Sequence, residues 1–495
     1  MSFVAEIASH PSFFLVVFAV GLALAFEFVN GFHDTANAVA TVIYTNTLKP
    51  VQAVVWSGFF NFLGVLFSTG AVAYGIISLL PVELVLNAGS GTGFAMVLSL
   101  LLSAILWNVG TWYFGLPASS SHTLIGSILG VGLANSYMAG QGLGDGVNWA
   151  KAKEVGLSLM ISPVVGFVLA ALLLLLLKVL VRKKELFEEP DKTKKPPIWV
   201  RVILMITCTG VSYAHGSNDG QKGMGLIMLI LVGLLPGTFA LQMSEPSEGL
   251  AALAKQAQVA QTAFAKKAEG RQLDHEAARK ELQQAAKPAG KVSADTFAAL
   301  AGEAADLQTR LTSLKSFNEL AEDQRRDLRT DLFLVSTVSA KAIKAGQFSD
   351  DADKKAVSSL KDHVDGVTKF IPTWVKVAVA LALGLGTMIG WKRIVVTVGE
   401  KIGKSHLTYG QGAAAETVAM ATIFAADTLG LPVSTTHILS SGIAGTMAAN
   451  RSGLQAQTLR NILLAWVLTL PVCIFLGSIF FAFANYVVLH WFGMN

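Results

Sequence analysis

Gly115-Leu116-Pro117-Ala118-Ser119-Ser120-Ser121-His122-Thr123 returns far down the chain as Gly430-Leu431-Pro432-Val433-Ser434-Thr435-Thr436-His437, a proline turn running into a hydroxyl cluster and a histidine. Ahead of each stands a second paired landmark, a polar break in an apolar run. The first copy is Asn30-Gly31-Phe32-His33-Asp34-Thr35-Ala36-Asn37-Ala38 and the second His215-Gly216-Ser217-Asn218-Asp219-Gly220-Gln221-Lys222-Gly223. Two landmarks in the same order describe a duplicated chain. About 83 positions separate Asp34 from Pro117 but about 213 separate Asp219 from Pro432, so the second copy carries an insertion of roughly 130 residues, the size of a domain.

Around these landmarks the chain is 53% hydrophobic and 14% charged, with a mean hydropathy of +0.54. That is more apolar surface than 495 residues can hide in one soluble core. The runs 13–28, 51–72, 157–180, 371–389 and 462–483 each reach the roughly 17–25 residues a helix needs to cross a bilayer. Lipid is therefore the expected solvent, and the fold class is an all-α polytopic membrane protein. The first run leads directly into a polar segment and the next span, so it is read as retained rather than as a cleaved signal. Cys208 and Cys473 both lie within apolar runs, where no disulfide is expected. The net charge of +5 is scattered over loops, which excludes nucleic acid as a partner.

Between about 244 and 370 the apolar runs stop, and Ala, Lys, Glu, Gln and Asp take over, as in 251–267 and 319–331. This is a soluble helical insert. The predicted organisation is a first membrane repeat over 1–181, a basic linker over 182–198, a second repeat over 199–243 and 371–495, and the insert over 244–370 between its two parts. The linker holds Arg182, Lys183, Lys184, Lys192, Lys194 and Lys195, the densest basic stretch in a short loop, and is placed in the cytoplasm. Lys392, Arg393, Lys401 and Lys404 mark a second cytoplasmic loop, whereas the first eleven residues and the loop 81–89 carry no Lys or Arg. Walking the spans between these anchors inverts the halves relative to each other and puts both termini and the insert in the periplasm.

Asp34 and Asp219 are carboxylates expected at membrane depth, where a charge must be paired, solvated or titrated. Set among Gly, Ala and Asn, they fit a broken helix whose carbonyls help coordinate a cation. The other reading is a capping Asp where a helix restarts, and the occurrence of two equivalent copies favours the ion site. The hydroxyl clusters follow Pro, which suits a helix start, and a helix start with free N–H groups and hydroxyls is an anion site. Two such starts meeting at mid-membrane would hold a tetrahedral oxyanion without a fixed positive charge, although either cluster alone could simply cap or join helices. His33, His122, His215 and His437 flank these motifs as proton relays, oxyanion contacts or structural hydrogen bonders. Lys222 has Asn37 as its counterpart; it would either pair with Asp219 or attract the anion, and the pair is the favoured reading. Glu27, Glu416 and Asp427 also fall in or near apolar stretches. Gly399-Glu400-Lys401-Ile402-Gly403-Lys404-Ser405 has too short a spacing for a nucleotide loop, and Gly386 with Gly390 fits a small-residue helix contact. No nucleophile with its base, structural metal site or cofactor motif stands out, so an enzyme is the least expected class.

Taken together, the two acidic signatures and the two Gly-Leu-Pro-x-Ser-[ST]-[ST]-His segments resemble the PiT family of inorganic phosphate transporters, and within it the bacterial low-affinity, Pit-type permeases. The resemblance covers both membrane halves and extends to the insert. It implies an inverted-repeat secondary carrier with broken helices and re-entrant hairpins, dimeric in the bacterial inner membrane. Such a carrier imports inorganic phosphate by symport with H⁺ or Na⁺. The bacterial branch is similar to proton symporters that accept neutral divalent metal–phosphate complexes. By this resemblance Asp34, Asn37, Asn218 and Asp219 map to the coupling-cation signatures, and Ser119, Ser120, Ser121, Thr123, Ser434, Thr435 and Thr436 to the phosphate-binding hairpins. His33, His122, Lys222 and His437 stand beside them as accessories. His33 replaces an Asn that many relatives carry before the Asp, which removes a neutral carbonyl ligand and favours H⁺ over Na⁺. The competing expectations are a sulfate carrier on the same scaffold and a non-transporting phosphate sensor whose insert binds a partner of unknown identity.

Overall fold

The computed structural model describes residues 13–34, 36–80, 90–140, 142, 146–190, 195–287 and 290–491. The first twelve residues and the loop 81–89, whose lack of Lys and Arg the topology reading leaned on, lie outside them. Among the described residues there is no strand beyond one isolated bridge between Gly403 and Leu454. The first half runs α1 (Phe13–Asp34), α2 (Ala36–Tyr44), α3 (Pro50–Leu66), α4 (Ala71–Ile77), α5 (Gly91–Tyr113), α6 (Ser120–Met138) and α7 (Trp149–Leu180). The second begins with α8 (Ile198–Leu234) and α9 (Pro236–Phe239) and passes through α10 (Ser247–Lys267), α11 (His275–Ala286), α12 (Ala294–Thr312), α13 (Glu322–Lys344) and α14 (Asp351–Thr368). It ends with α15 (Thr373–Met388), α16 (Lys392–Glu400), α17 (Tyr409–Thr428), α18 (Thr435–Asn450) and α19 (Ala456–Trp491).

Among the described residues five helices are long and apolar enough to cross a membrane, with α1 and α2 taken as one, and up to seven if each of two bent pairs is a single span. One of those bends falls inside the run 51–72. The run is not one straight span: α3 stops, Ser68 bonds back to the Val65 carbonyl at 2.8 Å, Gly70 takes φ +90°, and α4 leaves at 75°. Only glycine adopts that backbone without strain. The outward faces of α1, α7 and α19 carry Phe14, Phe18, Val164, Leu172, Val467, Phe475 and Phe483, each more than half exposed. Long helices whose outward faces are this apolar present the kind of surface a bilayer covers.

The halves interlock rather than stand side by side. Helix α3 packs on α8 and α15 on α1, while α6 packs on α19 and α18 on α7, so each close pair takes one helix from each half. The same device closes them. Gly64 faces the Tyr213 carbonyl and Gly216 that of Asn61 across α3 and α8, and Gly31 faces the Leu383 carbonyl and Gly386 that of Phe28 across α1 and α15. With no hydrophobic drive between helices in lipid, backbone approach at small residues supplies the contact. Gly386 thus makes the expected helix contact, whereas Gly390 lies beyond the helix end at φ +74°. Both membrane cores mix the halves: one joins Phe26 and Leu100 to Ile227 and Leu383, the other Val39 and Val54 to Val211 and Ile438.

The insert has a core of its own, reaching from Ala240 to Val367. On α10 its buried positions Leu250, Leu253, Ala254, Ala257, Ala260 and Phe264 recur at three- and four-residue steps, the stripe of an amphipathic helix. Asp274 and Ser293 cap α11 and α12, and Arg310 with Asp331 (2.9 Å) and Lys266 with Asp353 (2.7 Å) tie neighbouring helices. The insert enters and leaves at one place, where the Gln242 N–H donates to the Val367 carbonyl at 2.9 Å.

Candidate functional site

Each Gly-Leu-Pro segment folds into the same hairpin tip for the same local reason. Helix α5 ends with Gly115 at φ +66°, its N–H on the Trp112 carbonyl and the Leu116 N–H on that of Thr111; α17 ends with Gly430 at φ +64°, bonded to Asp427, and Leu431 bonded to Ala426. This is a Schellman stop, which needs glycine in the left-handed region. After the proline, Ser119 accepts from the His122 N–H at 3.2 Å and Ser434 from the His437 N–H at 3.1 Å, so each opens the returning helix as its N-cap. The tips touch: Ser121 donates to the Val433 carbonyl at 2.6 Å, and the His122 and His437 rings lie 4.6 Å apart, with His437 stacked on Trp466 at 3.9 Å.

Both acidic signatures meet the tips in one buried cluster. The Ser120 hydroxyl lies 3.2 Å from Asp34 Oδ2 and 3.3 Å from Asp219 Oδ2, and Thr436 donates to Asp34 Oδ1. Lys222 Nζ bridges Asp219 at 2.8 Å and Ser121 Oγ at 2.6 Å, so the pairing read from the sequence is present and continues into the first tip. His215 Nε2 sits between the carboxylates, 3.6 Å from Asp34 and 3.5 Å from Asp219, and its Nδ1 lies 2.6 Å from Asn61 Oδ1. Asp34, Asp219 and Lys222 are at most 1% exposed. One ligand atom each from Asp34, His215 and Asp219 falls within 4.8 Å of the others, a cradle of cation-binding size.

The other candidates are distributed around this centre. Ser119 and Ser434 are spent on caps, and Thr123 turns towards α5, donating to Asn108 Oδ1 at 2.9 Å. Asn218 donates to the Leu431 carbonyl at 3.2 Å, at the foot of the second tip, and its Oδ1 is buried without a hydrogen-bond partner among the described residues. Thr435 is buried in the first turn of α18. His33 lies 3.1 Å from Thr111 on α5, away from the cluster. The side chain of Asn37 is outside the described residues. The expected helix break at the second signature is absent: α8 runs through His215–Gly223 as one helix of 37 residues. Side chains three and four apart on one face, not freed carbonyls, therefore build that half of the site.

Sequence reasoning left His215 open and did not place it in the site. The signal was its i,i+4 spacing to Asp219, which on an unbroken helix puts both on the face that carries Lys222. Around the cluster stand further buried acids: Asp427 accepts from Ser217 (2.6 Å) and Gln221 (2.7 Å), Glu416 accepts from Thr41 and Thr207, and Glu27 accepts from Asn30 at 3.4 Å through Oε2 while its Oε1 has no hydrogen-bond partner among the described residues.

Comparison with known proteins identifies the family. The Phosphate transporter family matches residues 30–477. The chain is 43% identical to a protein of Escherichia coli (strain K12) named "Low-affinity inorganic phosphate transporter PitA", over 94% of this chain and 95% of that one. It is 30% identical to a "Probable low-affinity inorganic phosphate transporter" of Bacillus subtilis (strain 168), over 95% and 97%. A solved structure titled "The sodium-dependent phosphate transporter" superposes with a TM-score of 0.52 at 19% identity, over 96% of this chain and 99% of that chain, which speaks for the fold. These relatives are transporters rather than enzymes, and the chain belongs to the phosphate transporter family, the PiT family that its paired motifs resemble.

Proposed function

We propose that the protein imports inorganic phosphate across the bacterial inner membrane by cation symport, with the anion held between the two hairpin tips. The observation that carries this is the Ser120 hydroxyl, within 3.3 Å of a carboxylate from each half, beside the Lys222 ammonium on Ser121. While His215 is neutral, two carboxylates facing one ammonium leave the cluster one negative charge in excess. An oxyanion entering such a buried place multiplies a cost that only an accompanying proton or metal cation removes. Coupling is then a consequence of the charge count. Asp34, Asp219 and His215 are the groups to take that cation, with Asn218 as a neutral neighbour and Asn37 carried over from the sequence reading alone. Ser120, Ser121, Thr435 and Thr436, held by the caps Ser119 and Ser434 and braced by Thr123, take the phosphate. His122 and His437 are accessories at the tips. The imidazole between two carboxylates, and His33 in place of an Asn, favour H⁺ over Na⁺. A phosphate carried as a neutral divalent metal complex would lower the same charge.

Sulfate is the closest rival substrate. Protonated phosphate donates hydrogen bonds and sulfate does not, so acceptor carboxylates beside the anion favour phosphate. The dense basic stretch around 182–195 supports a cytoplasmic linker, and with it a periplasmic side for the termini and insert; the resemblance supports a homodimer.

The test is uptake into proteoliposomes under an imposed pH gradient or, separately, a Na⁺ gradient, with sulfate and Mg²⁺ varied. Phosphate accumulation under the pH gradient alone is expected. Accumulation only with Na⁺ would reassign the cradle to sodium, and none under either would favour the sulfate or sensor reading. Asp34→Asn and Asp219→Asn are each expected to lower accumulation more than about tenfold in protein that still folds. Near-normal uptake in both would remove the ion site.

A further inference from the structure

Where the insert rests on the membrane helices, α4, the end of α8 and one face of α13 enclose a cavity of about 260 Å³. Ile77, Met228, Val232 and Phe333 make its walls largely aliphatic and aromatic. One guanidinium, that of Arg329, faces this space. Its Nε is shut off from solvent without a hydrogen-bond partner, and among the described residues Arg329 makes no ion pair. The second cation at the cavity, Lys369, is already matched by Asp365 at 2.7 Å, and among the described residues no Asp or Glu lines the space. Burial pushes the Arg329 guanidinium down to about 10, the direction for a cation that has lost water without gaining an anion. An enclosed, unmatched charge beside apolar walls is costly, and what relieves it is an opposite charge attached to an apolar body.

We infer that this cavity binds an anionic amphiphile, its charged head on Arg329 and its chain along Met228, Val232 and Phe333. Its position suits a lipid, since the cavity opens where the apolar helices end and the polar insert begins. Such a ligand would join α13 of the insert to α8, the helix that carries His215, Asp219 and Lys222. The inference does not depend on what the central site transports. A phosphate ester head and free inorganic phosphate share the chemistry Arg329 recognises, and the apolar walls select the former.

The test uses the purified full chain in a neutral detergent, with dodecyl phosphate, phosphatidylcholine and inorganic phosphate as probes, read by native mass spectrometry and thermal unfolding. One dodecyl phosphate retained per chain with a raised Tm is expected, and neither effect from the other two probes. Affinity for dodecyl phosphate should fall at least about tenfold in Arg329→Gln, which removes the charge, and in Val232→Phe, which keeps the charge and fills the space. Unchanged affinity in either variant overturns the assignment, as does an inorganic phosphate response in the wild type that Arg329→Gln abolishes. Should Arg329→Gln fail to fold, Val232→Phe decides alone on the same criterion.

Discussion

At the residue scale the controlling fact is an ammonium shut in with two carboxylates. Lys222 is wholly buried, and its Nζ lies 2.8 Å from Asp219. Removing one member of a buried pair leaves the other uncompensated, so Lys222→Met is expected to destabilise by about 3–5 kcal/mol. The double variant Asp219→Asn with Lys222→Met removes both charges and should recover most of that loss without recovering uptake. Thermal unfolding of the three variants, closed as a double-mutant cycle, checks the pair; additive losses would mean that the two residues do not interact. In the insert, Glu303 offers a separate test of burial. Its carboxyl is pushed up to about 7 by burial and by the neighbouring Asp331, against an ordinary 4.5. A raised folded-state value means the native state keeps a proton that the unfolded chain has released, so this stabilisation is full below pH 4.5 and is lost as the pH rises to about 7. The insert's melting temperature should therefore decline over that window, and Glu303→Gln should flatten the decline; an unaltered slope would show that Glu303 does not titrate there.

At the element scale the site depends on how closely α3 and α8 approach. Gly216 lies against the backbone of Asn61, the residue whose Oδ1 orients His215 at 2.6 Å. A methyl group at 216 must push α3 away and take Asn61 with it. Overpacking of this kind costs about 1–3 kcal/mol, so Gly216→Ala is expected to lower both Tm and uptake. Gly156→Ala on α7, where an added Cβ meets nothing within 4 Å, is the silent control. Equal behaviour of the two variants would remove close approach as the reason for glycine at 216. The same construction joins Gly386 to Phe28 on the opposite pair, which is how α1 comes to present Asp34 to the same centre.

At the scale of the whole molecule, the membrane part is one interlocked body and the insert an appended one. Because Gln242 and Val367 are hydrogen-bonded at 2.9 Å, a short Gly/Ser linker can replace residues 247–366 without straining the membrane helices. That deletion gives up the Arg325 contact to the Gly237 carbonyl at 2.8 Å but no group of the central cluster. Phosphate uptake by the shortened chain is expected to stay within about twofold of the full chain, as for an insertion at an exposed site. Loss of uptake by a folded, membrane-inserted product would make the insert part of the transport cycle.

Much of this was legible in the residues because it is local. Apolar runs long enough to span, the Gly-Leu-Pro stops with their serine caps, and the paired Asp34 and Asp219 are properties of short stretches, and helix physics acts on short stretches. The charged, alanine-rich composition of α10, with its apolar stripe, likewise announced a soluble helix before any contact was known. What had to wait for the tertiary structure was everything set by distance between remote segments. An uninterrupted α8 puts His215 beside both carboxylates, Thr436 reaches Asp34 from the other half, and Arg329 faces a cavity whose walls come from α4 and α8. Glycine, Asn and Ser near Asp219 permit a broken helix or a whole one with similar local energies. The packing of Gly64 and Gly216 across α3 and α8 decided between them, and only the folded chain supplies that contact.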